Sequence, residues 1–125
     1  MLGVLLKLSV AENAIRHVFG APERAAAPDL LNAEVLHALR KLEARHELTG
    51  ERAADAVHDL SILPIVRYPT IPLVTRVWQL RKNFTPYDAI YVALAEALGT
   101  SLVTADQHLA KATRAHTAVE VVALS

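Results

Sequence analysis

The feature that most constrains this chain is the alternation of short apolar runs with longer stretches of helical period. Ile65-Val66-Arg67-Tyr68, Ser101-Leu102-Val103-Thr104 and residues 119–124 are each too short for a helix and largely apolar. Between them the apolar residues recur three and four positions apart. Residues 29–46 show this, with the stripe Leu31, Val35, Ala38, Leu39 and Leu42 and with Arg40, Lys41 and Glu43 outside it. Strands without an apolar–polar alternation, separated by helices, mark a parallel sheet covered on both faces. The fold class is therefore α/β, a mostly parallel central sheet between two helical layers. Ligand sites in such sheets lie beyond the carboxyl ends of the strands.

Local signals place the remaining elements. Residues 2–19 read as helix, broken near Ser9 and ended by Gly20-Ala21-Pro22, and residues 24–27 read as a short extended piece. Thr49 is suited to cap a helix that runs through Ala53, Val57 and Leu60. Thr70-Ile71-Pro72 starts another, whose buried side is Leu73, Val77, Trp78 and Leu80. In Thr85-Pro86-Tyr87-Asp88 the Thr is placed as N-cap and the Pro at the first helical position. The helix that follows, up to Gly99, is apolar almost all round, which predicts a buried central position. Residues 105–113 read as a short helix before the last strand.

Composition narrows the function. At 125 residues the chain makes one domain, residues 1–125, and a 53% hydrophobic fraction supplies its core. Thirteen basic residues balance thirteen acidic ones, so nucleic acid cannot be held by bulk charge alone; a local basic rim remains compatible. The apolar excess without net charge points to a dimer or another protein partner. No cysteine is present, which removes disulfides and thiolate metal sites. Lys7 interrupts the apolar opening, and no run approaches the roughly 20 residues of a membrane span. The expectation is a cytoplasmic protein with no membrane association.

Three carboxylates stand at unusual places. Asp88 begins the most apolar helix, where it can serve as a metal ligand or simply complete a capping box with Thr85. Asp106 lies two residues past an apolar strand, at a site position or as the stabiliser of a first helical turn. Glu34 lies at the edge of an apolar stripe, where a solvated side chain is the ordinary outcome. Glu34-x-x-His37 occurs once, whereas a di-iron carboxylate bundle needs that element twice. No His-x-x-x-His pair, nucleophile elbow or Gly-rich phosphate loop is present.

Taken together, these segments resemble a known family. Residues 28–40, Pro-Asp-Leu-Leu-Asn-Ala-Glu-Val-Leu-His-Ala-Leu-Arg, are similar to the second-motif helix of PIN-domain toxins. Residues 83–95, Asn-Phe-Thr-Pro-Tyr-Asp-Ala-Ile-Tyr-Val-Ala-Leu-Ala, resemble the third motif. Residues 102–109, Leu-Val-Thr-Ala-Asp-Gln-His-Leu, resemble the fourth. The three occur in the family's order, and the resemblance is to VapC-type toxins of toxin–antitoxin pairs. It implies a PIN-like α/β domain acting as a Mg²⁺- or Mn²⁺-dependent endoribonuclease. Glu34, Asp88 and Asp106 would be catalytic and metal-holding residues, with Asp88 the foremost ligand. Carboxylate oxygens suit such hard cations. RNA would be the substrate, a cognate antitoxin the protein partner and a homodimer the assembly. Arg81, Lys82 and Arg114 lie in or near the motifs as candidate phosphate contacts.

The family's first motif is a strand that ends in Asp. Here the opening, Met1-Leu2-Gly3-Val4-Leu5-Leu6-Lys7-Leu8, resembles instead the helix that follows that strand. The expectation is an N-terminally shortened PIN domain with its first strand absent and a gap in the sheet. That leaves a second functional reading, a catalytically impaired or vestigial module that pairs with an antitoxin without cleaving. A third is an unrelated α/β binding domain in which all three acids are helix caps.

Overall fold

A computed structural model describes residues 2–7 and 24–124. Five strands form one sheet: β1 (Leu2–Lys7), β2 (Arg24–Pro28), β3 (Ile65–Tyr68), β4 (Ser101–Thr104) and β5 (Val121–Ala123). Their order is β3-β2-β1-β4-β5, and every neighbouring pair is parallel. The described helices are α1 (Leu30–Ala44), α2 (Gly50–Ile62), α3 (Val74–Gln79), α4 (Pro86–Leu98) and α5 (Gln107–His116); a 3₁₀ turn, Ile71–Leu73, leads into α3. No described helix is long and apolar enough to cross a membrane.

The sheet carries a core on each face. Ala26 and Leu102 pack with Leu73, Leu80, Phe84, Tyr91, Val92 and Leu109 on one side. Ala25, Ala27 and Val103 pack with Leu31, Leu60, Leu63 and Ile65 on the other. Adjacent residues of β2 and β4 thus point into different cores, the period-2 geometry of a doubly covered sheet. Each fully buried Leu or Val contributes about 1.5–3 kcal/mol of transfer free energy. The expected three-layer α/β architecture is what the chain adopts.

The expectation of a missing first strand is overturned. Leu2–Lys7 is a strand in the middle of the sheet, bonded to β2 on one side and β4 on the other. The physical reason is that a short continuous apolar run has no period of its own: Leu2, Val4, Leu5 and Leu6 satisfy a buried helix or a buried strand equally. The tertiary context decides, since β2 and β4 each present a row of backbone groups that need partners. The sheet therefore has no gap at this point. What Leu2–Lys7 lacks is a carboxylate. The helix expected to continue over residues 8–19, and its stop at 20–22, lie outside the described residues.

Trp78 is also corrected. It was expected on the buried side of its helix, yet it is 67% exposed, while Leu73 and Leu80 are buried. The helix α3 spans six residues, so its inward arc is narrow. Trp78 instead lies under the Arg81 guanidinium, 4.4 Å from the ring centroid.

Three local devices fix the elements around the sheet. Arg67 on β3 donates from Nε to Asn32 Oδ1 (2.8 Å) and from Nη2 to the Leu60 carbonyl (2.9 Å), joining β3 to α1 and to the end of α2. Arg76 grips Glu96 with Nε and Nη2 at 2.8 and 2.9 Å and ties α3 to α4. Gly99 ends α4 at φ 62°, a left-handed conformation that glycine adopts without a Cβ penalty.

Candidate active site

With β4 added on the far side of β1 from β2 and β3, the strand order reverses between β1 and β4. That reversal is where open α/β sheets place their crevice. Three helix starts converge on this end of the sheet: α1 leaves β2 through Asp29, whose N–H bonds the Tyr68 carbonyl at 2.9 Å, α5 leaves β4, and α4 enters from the loop after α3.

The sequence motifs set these helices as their chemistry predicts. Thr49 Oγ1 accepts from the Arg52 N–H at 3.2 Å. Thr85 Oγ1 likewise accepts from the Asp88 N–H at 3.2 Å, so Thr85 caps α4 and Asp88 sits in its first turn. Asp106 is the N-cap of α5: its Oδ1 accepts from the Leu109 N–H at 3.0 Å, while its own N–H donates to Oγ1 of the fully buried Thr104. Asp106 thus takes the capping role weighed for it, while Asp88 stands in the first turn of a helix capped by Thr85.

Glu34 and Asp88 come together around one residue that sequence reasoning passed over. Tyr91 lies one turn after Asp88 on α4, at 0% exposure, and its hydroxyl donates to Glu34 Oε1 at 2.5 Å. Burial pushes the Tyr91 phenol far above its usual range; the hydrogen bond to Glu34 and the charges of Glu34 and Asp88 push it in the same direction. Tyr91 is therefore a permanent, neutral donor between α4 and α1. Its i, i+3 spacing from Asp88 puts both on one helix face, but that spacing alone does not single it out from the core.

Asp106 stands apart from this pair. Among the described residues no three His, Asp or Glu side chains cluster closely enough to hold an ion by themselves. The oxygen-only donor set still fits a hard cation, since Mg²⁺ is commonly held by one or two carboxylates with water and substrate phosphate completing its shell. Zinc would call for a His-rich set.

A cleft of about 450 Å³ adjoins Asp88 and is closed on its other side by His108 and Leu109 of α5. Arg81 and Lys82 form its basic rim, with Asn83 and Thr85 between them and Asp88. Arg81 is held in place by its bond to the Trp78 carbonyl at 2.9 Å. Arg114 does not line the cleft; it lies late in α5 and donates to the Val121 carbonyl, at the opposite end of the strands. His108 joined the site unannounced, because nothing in its sequence surroundings separates a cleft-lining His from a solvated one.

Comparison with known proteins places this architecture. The chain is 40% identical to ribonuclease VapC9 of Mycobacterium tuberculosis over 102 residues, covering 82% of this chain and 80% of that protein. It is 51% identical over 87 residues to ribonuclease VapC1 of the same organism, covering 69% of this chain and 65% of that one. The crystal structure of PAE2754 from Pyrobaculum aerophilum superposes with a TM-score of 0.68 at 26% identity, covering 95% of this chain and 87% of the other. The family model described as PIN domain matches residues 4–115. By sequence match, strand order and the placement of its acidic motifs, the chain belongs to the PIN-domain family.

Proposed function

We propose that this protein is a divalent-metal-dependent endoribonuclease, the toxin of a toxin–antitoxin pair, and that it works in the cytoplasm. The observation that carries the reading is the pairing of Glu34 with Asp88 around Tyr91, beside a cleft with a basic rim. Its similarity to proteins named as VapC ribonucleases supports the substrate class.

In this reading Asp88 would hold a Mg²⁺ or Mn²⁺ ion, with Glu34 and Asp106 binding it directly or through water. Such an ion, when bound, activates a water for in-line attack on phosphorus and neutralises charge on the phosphate. Water adds to phosphorus, the bond to the leaving ribose oxygen breaks, and a phosphate monoester and a hydroxyl result. Arg81 and Lys82 steer and hold the RNA backbone at the rim. Thr85 and Thr104 accept the backbone N–H groups of Asp88 and Asp106 and so fix the backbone that carries the two carboxylates.

An antitoxin segment would occupy the same cleft, and an Arg fork is the side chain best matched to paired carboxylates. Exposed Ile71, Val74 and Trp78 support self-association as a homodimer.

A second reading, a module that binds its antitoxin without cleaving, draws on two observations. Leu2–Lys7 contributes no acid to the site, and one oxygen of Asp106 is committed to its cap. The deciding experiment is cleavage of structured RNA by the chain purified free of any antitoxin. Cleavage that requires Mg²⁺ or Mn²⁺ and stops with chelator supports the nuclease; intact RNA at all metal concentrations supports the binding module.

A further inference from the structure

We propose that Tyr91 is a positioning residue for the acidic pair: its hydroxyl fixes the Glu34 carboxylate beside Asp88, so that the two present their oxygens together to a divalent cation. This rests on the metal-dependent reading above. Glu34 comes from α1 and Asp88 from α4, and the hydrogen bond that joins their helices here spans 57 residues of sequence. Tyr91 has no exposed surface, so its aromatic ring is locked by the core, and its hydroxyl points from a fixed location. Glu34 is different. It is half-buried on the rim of a helix, and its long side chain would sample several rotamers unless something held it. A rigid donor acting on a long side chain is the arrangement by which outer groups orient metal-holding ones.

The same bond also satisfies a buried phenol hydroxyl, a purely structural service. The two roles separate experimentally. A structural role lowers stability and leaves the cation affinity of the folded protein unchanged. A positioning role lowers affinity, and does so only through Glu34.

The test is a four-protein cycle of wild type, Tyr91→Phe, Glu34→Gln and the double variant, each confirmed as folded by circular dichroism and titrated with Mn²⁺ in a calorimeter. Tyr91→Phe keeps the ring and its packing. It is expected to weaken Mn²⁺ binding roughly tenfold, the lower end for outer-group substitutions. In the Glu34→Gln background the same change is expected to do nothing further. Wild-type affinity in Tyr91→Phe overturns the proposal, as does a loss that persists when Glu34 is already Gln. A wild type that binds no Mn²⁺ overturns it too, but together with the metal-dependent reading. Should Tyr91→Phe not fold, Glu34→Asp carries the test. That variant keeps the charge and shortens the reach to the hydroxyl, so a similar loss is expected, and wild-type affinity overturns the proposal.

Discussion

Asp106 shows how one side chain can be both structural and functional, and how to separate the two. Its Oδ1 caps α5. Replacing it with Ala should destabilise the protein by about 1 kcal/mol, the usual worth of an N-cap, whereas Asn caps as well as Asp and should leave stability nearly unchanged. If Asp106 also serves catalysis, both variants lose RNA cleavage to a similar degree. Thermal unfolding with cleavage rates on the same samples checks this; full activity in Asp106→Asn would confine the residue to its cap. At this scale the sequence was legible where chemistry is local. Thr85 and Asp88, or Asp106 and Leu109, lie within four residues of each other, and local spacing announces the cap. Tyr91 was not legible. In a helix apolar on all sides a Tyr reads as core, and its partner Glu34 is brought to it only by folding.

Elements were legible in proportion to their period. The helices α1, α2 and α4 carry long amphipathic or uniformly apolar patterns with recognisable starts, and each forms within a few residues of its expected bounds. The strand β1 carries no such pattern, and only the hydrogen-bonding needs of β2 and β4 distinguish it from a helix. Arg67 is a charge inside an otherwise apolar strand, and its purpose depends on two other elements. It joins β3 to Asn32 and supplies a donor for the Leu60 carbonyl in the last turn of α2, where helix carbonyls lack internal partners. Removing it leaves part-buried acceptors unsatisfied. Arg67→Ala should lower stability by about 2 kcal/mol, within the range for hydrogen bonds from a charged donor. Denaturant unfolding measures it, and a change below about 0.5 kcal/mol, the scale of ordinary surface substitutions, would mean that this junction does not hold α1 in place.

For the molecule as a whole, a net charge of zero means that any grip on RNA is local. In the proposed function the basic rim of the cleft, Arg81 and Lys82, would supply it. Each true phosphate contact should reduce the slope of log affinity against log salt by about one unit. Lys82→Ala should therefore flatten the salt dependence of RNA binding by that amount, while Arg114→Ala, at the opposite end of the strands, should leave it unaltered. Equal slopes for wild type and Lys82→Ala would remove the rim from the RNA path.

If the carboxylates at this end of the sheet hold a divalent cation as proposed, Asp88→Asn must weaken its binding. Asn keeps the shape and the Thr85 cap and gives up one favourable charge near the start of α4, worth about 0.3–1 kcal/mol. The measurement is Mn²⁺ titration of wild type and Asp88→Asn by calorimetry, with thermal unfolding run alongside. Saturable binding is expected in the wild type, binding at least tenfold weaker in the variant, and a nearly unchanged unfolding transition. Equal affinity in the two folded proteins would contradict it and leave Asp88 as a helix-capping residue alone.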